Sequence, residues 1–167
     1  MSLHLDAEAL YTGLLAGVRS LLVPDAVLVG VWSGGAWLAE RLQRDLGLTT
    51  PHGVISSTLH RDDFSSRGLG STTDATSLPF SVDGRPIILI DDVLYTGRST
   101  RAAINELFDY GRPASIELAV LVDRGGRELP IEPAYTGARV ACARTLNIVL
   151  TRGDDGRLAL SVEPAGA

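Results

Sequence analysis

The chain has 167 residues, a hydrophobic fraction of 45% and a formal net charge of −5, which suits a single globular domain with its own core and excludes a disordered chain. No apolar run approaches the roughly 20 residues of a membrane span, and the acidic balance argues against gross electrostatic binding to nucleic acid while leaving room for a local arginine patch. All basic residues are arginine; with no lysine, a P-loop, Schiff-base chemistry and a receiver domain are excluded.

The first residues, MSLHLDAEALYTGLLAGV, carry acids and no basic leader, so a cytoplasmic protein is expected. Residues 6–22 read as a helix: Leu10, Leu14, Leu15, Val18, Leu21 and Leu22 recur at helical spacing and Asp6 is a candidate cap. Gly13 and Gly17 weaken that reading. Residues 26–31 form the first core strand. Ser33-Gly34-Gly35 is a tight turn, and a helix over 36–46 follows, closed by Gly47. Residues 53–59 read as a second strand. Residues 60–82 are polar and turn-rich, a length that marks a functional or mobile loop, or a disordered insertion.

Residues 87–90, all Ile or Leu, have the pattern of a buried parallel strand. It ends in Asp91 and Asp92. A turn through Thr96, Gly97, Arg98, Ser99 and Thr100 leads into a helix over 101–110. Strands over 114–122, 138–141, 147–151 and 158–162 complete the chain, with a hairpin turn at 153–156. Strands alternating with helices predict an α/β fold around a mainly parallel sheet, in one domain over 1–167. Cys142 is the sole cysteine, so no disulfide framework or cysteine metal site is expected and a buried, inert thiol is the simplest reading.

Two acids and a hydroxyl-rich glycine turn at the carboxyl end of a strand lie where open α/β sheets bind ligands. The helix start supplies unpaired N–H groups and a positive dipole end. Gly97 permits close backbone approach, Thr96, Ser99 and Thr100 donate hydroxyls, and Arg98 adds charge. Carboxylates repel phosphate but accept from sugar hydroxyls, so a pentose bearing a 5′-phosphate satisfies both halves. Solvated strand-end acids are the alternative, which leaves the turn unexplained.

The segment 88–100 resembles the phosphoribosyl-pyrophosphate (PRPP) motif of type I phosphoribosyltransferases. DDVLYTGRSTRAA, LVDRGGRELPI at 121–131 and LHRDD at 59–63 are similar, more narrowly, to the PyrR family: pyrimidine-operon attenuation regulators that are also uracil phosphoribosyltransferases. The resemblance implies a type I phosphoribosyltransferase fold, with a lid over about 60–82 and a hood from the N-terminal segment and 124–167. It implies PRPP and uracil as substrates, Mg²⁺ brought by PRPP near Asp91 and Asp92, and a homodimer or higher homo-oligomer. It places Asp91 and Asp92 as catalytic, with Asp91, Asp92, Val93, Leu94, Tyr95, Thr96, Gly97, Arg98, Ser99 and Thr100 on the ribose and 5′-phosphate. It assigns Ser33, Gly34 and Gly35 to the pyrophosphate loop, although plain turn chemistry also explains these glycines.

Arg61, Asp62, Asp63 and Arg67 would belong to the lid, and Val122, Asp123, Arg124 and Arg127 to the base region. Arg124 is a substrate candidate; Arg127 divides between a ligand and a structural role with Glu128 or a neighbouring subunit. Three departures matter. Gly34 stands where many members carry Arg, a charge that Mg²⁺, Arg61 or Arg67 would have to replace. Gly126 replaces a His. Tyr95 stands where purine-using relatives place an Asp, which points to uracil. Binding of pyrimidine-operon mRNA is expected to be weakened, with arginines 112, 124, 127, 139 and 144 left to form a patch. Two alternatives stay open: a nucleotide-sensing RNA-binding attenuator with little turnover, and a phosphoribosyltransferase for another base.

Overall fold

The computed structural model describes residues 3–56 and 75–166. Helix α1 spans Ala7–Leu21, and Asp6 caps it by accepting from the Ala9 N–H at 3.1 Å. Its two glycines have a packing reason. A Cβ at Gly13 would lie 2.8 Å from the Tyr135 hydroxyl, and one at Gly17 would enter the Tyr135 ring. Each glycine gives up about 1 kcal/mol of helix propensity so that the helix can lie close on the sheet.

The sheet strands are β1 (Val27–Val31), β2 (Gly53–Ile55), β3 (Pro86–Leu94), β4 (Ser115–Asp123) and β5 (Tyr135–Arg139). Their spatial order is β2-β1-β3-β4-β5 and every pair is parallel. Helix α2 (Gly34–Asp45) follows β1, and α3 (Arg98–Tyr110) follows β3. From β1 the chain steps outward to β2, then returns to lay β3 on the other side of β1. The carboxyl ends of β1 and β3 therefore diverge into a crevice, the usual ligand position in such sheets. The separate hairpin of β6 (Leu146–Arg152) and β7 (Leu158–Pro164) turns at Gly153–Gly156 as expected, with Gly156 at φ +84°.

Strand alternation divides the core between the two faces. Leu28, Ile88, Ile90 and Leu121 pack with Leu14 and Val18 of α1, Leu38 and Leu42 of α2, and Ile148, Leu150 and Leu158 of the hairpin. Val27, Val29, Ile87, Leu89 and Val120 pack with Ala103 and Leu107 of α3 on the opposite face. Each fully buried Leu or Ile contributes about 1.5–3 kcal/mol of transfer free energy.

Four boundaries differ from expectation with consequences for the site. Strand β3 runs on past Ile90 through both acids to Leu94, because β4 supplies a ladder partner as far as Leu94 opposite Asp123. Helices α2 and α3 begin at Gly34 and Arg98, two and three residues early, so the glycines and hydroxyl residues lie in first turns rather than in loops. Residues 75–82, expected in the lid, belong to the body. Ser77 exchanges two 2.8 Å hydrogen bonds with Val54, and Val82 is buried. The lid residues Arg61, Asp62, Asp63 and Arg67 lie outside the described residues. Among the described residues no helix is long and apolar enough to cross a membrane.

Candidate active site

Strand β3 carries Asp91 and Asp92 at its carboxyl end, and the ladder to β4 pairs Asp91 with Val120 but skips Asp92. Asp92 is half-buried with its carboxylate at the Gly34 turn, and Asp91 is only 7% exposed. Asp91 Oδ1 accepts the Asp92 N–H at 2.9 Å, and Asp92 Oδ1 accepts the Val93 N–H at 2.8 Å. Each carboxylate thus fixes the backbone beside it. β1 last pairs with β3 at Gly30–Ile90, so the strand edge is open from Asp91 onward on that side.

The turn after β1 fills that opening. Trp32–Ser33 is a cis peptide, and Ser33 is the N-cap of α2 without a side-chain capping bond. Gly30, Gly34 and Gly35 are the positions where the turn meets the strand end. A Cβ at Gly30 would strike Gly35 and Ala36, one at Gly35 would strike the Ile90 carbonyl, and one at Gly34 would enter the Asp92 carboxylate. An Arg at position 34 would start from that same Cβ, so its charge cannot be restored there without moving the acid. The first N–H groups of α2 lack intrahelical acceptors and form a donor set for an anion next to Asp92.

The turn after β3 is the second anion cradle. Gly97 caps α3 at φ +92°, and a Cβ there would come within 2.9 Å of Ile131. Thr96 Oγ1 accepts the Arg98 N–H at 3.2 Å. Ser99 is half-buried and its hydroxyl belongs to the first turn of α3, as does that of Thr100. Thr100, however, is 2% exposed and lines a cleft on the α3 face with Leu89 and Ile104, so it is not a phosphate donor from solvent. Arg98 is committed to Glu128, with Nε and Nη2 both 2.9 Å from Oε2.

The loop after β4 straps down this cradle. Glu128 and Leu129 N–H both reach the Thr96 carbonyl, at 2.9 and 3.1 Å. Arg127 donates to the carbonyls of Ile131 and Tyr95 at 2.9 and 2.8 Å and pairs with Asp123 at 2.7 Å. Its role is structural, and its partner is Asp123, not Glu128. Burial alone would raise the Asp123 carboxyl pKa, but the Arg127 hydrogen bond, the Gly125 N–H and the Arg127 and Arg139 charges outweigh it and hold the pKa below the ordinary value. Arg124, 4% exposed, donates to the carbonyls of Leu146 and Ala143 at 2.8 and 2.9 Å, and its guanidinium lies 3.8 Å over the Tyr95 ring. It fastens the β6–β7 hairpin to the site loop. Gly126, at φ +78°, packs so close to Tyr95 that any side chain would meet the ring.

Val122 is wholly buried and offers only its backbone. Beside it, Asp123 to Arg127 form one wall of a cleft of about 640 Å³ whose other wall is Arg139 to Cys142. That second wall was missed in the sequence, where 138–141 read as a short strand. The Val140 N–H bonds the Asp123 carbonyl at 2.9 Å, a neighbourhood set by parallel β4–β5 pairing. Cys142 is half-buried at this cleft and packs against the core, rather than being fully buried as expected.

A family profile described as the phosphoribosyl transferase domain matches residues 15–142. The chain is 50% identical to the "Bifunctional protein PyrR" of Ralstonia nicotianae over 99% of both chains. It is 44% identical to that of Nitrosococcus oceani, covering 90% of this chain and 88% of the relative. The chain belongs to the PyrR family of phosphoribosyltransferases. The resemblance read from the sequence is borne out over the whole chain, and so is the type I fold with its parallel sheet. In fold alone, it matches a hypoxanthine-guanine phosphoribosyltransferase of Bacillus anthracis at TM-score 0.62 and 15% identity, covering 84% of this chain and 82% of that one. It matches the hypoxanthine phosphoribosyltransferase of Trypanosoma cruzi at TM-score 0.59 and 17% identity, covering 98% and 97%. For a PyrR-type chain, the two helix starts and the acids between them take on meaning as one extended site.

Proposed function

We propose that this chain transfers the phosphoribosyl group of PRPP to uracil, releasing pyrophosphate and forming UMP. The observation that carries the reading is the contact between the Gly34 turn and Asp92, which sets an anion cradle against a sugar-binding acid. The α3 start, Thr96 to Ser99, takes the 5′-phosphate. Asp92, with Asp91 behind it, accepts the ribose hydroxyls. The Ser33-Gly34-Gly35 N–H groups take the pyrophosphate. The cleft between Asp123–Arg127 and Arg139–Cys142 takes the base.

The chemistry is displacement at C1 of the ribose. The bond from C1 to the pyrophosphate oxygen breaks, and a uracil nitrogen bonds to C1 as its proton passes to solvent or to the departing pyrophosphate. Positive charge develops on the ribose as the leaving group departs, and Asp92 stands where a fixed negative charge opposes it. Orientation by the two cradles supplies the remainder.

Mg²⁺ fits this donor set. Among the described residues no cluster of three His, Cys, Asp or Glu could cage a metal by itself. Mg²⁺ binds through one or two carboxylates plus substrate phosphates and keeps several waters. Asp92 and Asp91 are the residues that would hold it, and when bound with PRPP it neutralises phosphate charge.

The alternative of an RNA-binding attenuator with little turnover is less well supported. Arg124 and Arg127 are consumed within the fold, Arg139 pairs with Glu132, and Arg112 folds back on Phe108. These were four of the five candidate patch residues. We place catalysis first, in a homo-oligomer in the cytoplasm. The reading is tested by following pyrophosphate release from PRPP, Mg²⁺ and uracil: Asp92→Asn should lower kcat by about 10²-fold or more, and full activity in a chain carrying both Asp91→Asn and Asp92→Asn would contradict it.

A further inference from the structure

We infer that Gly34 is a positioning residue for Asp92: its missing side chain is what allows the pyrophosphate turn and the ribose acid to touch. The inference rests on the assignment of Asp92 above and adds a residue whose role is exerted through another. Glycine is usually retained for backbone freedom, but that is not the reason here. Among the described residues the positive-φ glycines are Gly47, Gly84, Gly97, Gly125, Gly126, Gly156 and Gly166, and Gly34 is not one of them. Its φ does not call for glycine, so space is the constraint.

The nearest atoms in that space all belong to one group. A Cβ at Gly34 would meet Oδ2, Cγ and Cβ of Asp92 and no nearer atom. Asp92 cannot retreat freely, because its other oxygen accepts the Val93 N–H at 2.8 Å and its strand is paired with β4 on the far side. The turn cannot retreat freely either. Gly30 and Gly35 hold it against the Ala36 backbone and the Ile90 carbonyl. An added methyl must therefore turn the Asp92 carboxylate away from its place or lift the α2 start from the strand end. Both movements separate the two groups between which the C1–oxygen bond of PRPP would lie.

The test is a set of kinetic cycles on the full chain with PRPP, Mg²⁺ and uracil. Gly34→Ala is made alone, with Asp92→Asn, which keeps the bulk of the acid, and with Asp92→Ala, which removes it. Alone, Gly34→Ala should lower kcat/KM for PRPP by about tenfold or more, since a misplacement of about 1 Å can cost about 10²-fold; KM for uracil should not move. The loss should recur on top of Asp92→Asn and disappear on top of Asp92→Ala. An equal further loss in all three backgrounds overturns the inference, because Gly34 would then act only through the turn's own contacts with pyrophosphate. Where Asp92→Ala leaves turnover too slow to follow, the dissociation constant for PRPP from calorimetry is read in the same cycle. If Gly34→Ala alone is too unstable to assay, melting temperature replaces rate: rescue by Asp92→Ala but not by Asp92→Asn supports the inference, and no rescue by either overturns it. Wild-type activity in Asp92→Asn and Asp92→Ala taken singly would instead remove the ribose assignment, a result visible before any double variant is made.

Discussion

Arg127 Nη2 lies 2.7 Å from Asp123 Oδ2, and the same guanidinium donates to the carbonyls of Tyr95 and Ile131. One side chain thus joins the end of β4, the turn after β3 and the strap above it. Removing it leaves a buried carboxylate and two carbonyls short of a donor. Arg127→Met should cost about 3 kcal/mol, the order found when one partner of a buried pair is deleted, and urea denaturation measures it. A change below about 0.5 kcal/mol would show that the strap does not depend on this residue.

The same pair sets an acid limit. The Asp123 carboxyl has a folded-state pKa below its ordinary value of 3.8. Its contribution is therefore fully present above that value and is lost as pH falls through the lower, folded pKa. The stability advantage of the wild type over Asp123→Asn should be constant near neutral pH and shrink only below about pH 4. Melting temperatures of the two proteins across pH 7 to 2.5 check it, to be compared on the scale of about 1.4 kcal/mol per unit of pKa difference; an advantage that instead fades between pH 7 and 5 would contradict the assignment.

The Tyr95 ring is held between the Arg124 guanidinium, 3.8 Å away, and Gly126. Tyr95→Phe keeps the ring and should be within about 0.5 kcal/mol of wild type, whereas Tyr95→Leu should lose about 1–2 kcal/mol from the desolvated cation–π contact. Thermal unfolding distinguishes them. Equal losses in both variants would shift the weight from the ring to the hydroxyl.

Gly17→Ala reverses the usual rule. Helix propensity alone predicts a gain of about 1 kcal/mol, but the methyl would enter the Tyr135 ring. The net expectation is a loss of about 1–2 kcal/mol, the cost of overpacking set against that gain. Combining it with Tyr135→Ala should restore the propensity gain relative to Tyr135→Ala alone, as read in denaturant midpoints.

Much of this was legible in the sequence because it is local. The 87–90 run, the acids, the glycine at 97 and the hairpin turn at 153–156 each carry their own signal. What was not legible depends on partners distant in the chain. The extension of β3 to Leu94 comes from its pairing with β4. The ring of Tyr135 explains Gly13 and Gly17. Arg124 and Arg127 read as ligand candidates, because a sequence shows a guanidinium but not the carbonyls that occupy it. The second wall of the cleft beside Asp123–Arg127, Arg139 to Cys142, is set by β4–β5 pairing and has no motif.

The central claim is the acceptor. Purified protein is incubated with PRPP and Mg²⁺ and, in separate reactions, with uracil, cytosine, hypoxanthine, guanine and adenine, and nucleotide product is resolved chromatographically. The account predicts UMP from uracil and no comparable product from the other four bases. Faster formation of IMP or GMP, or no nucleotide from any base at saturating PRPP, would contradict it.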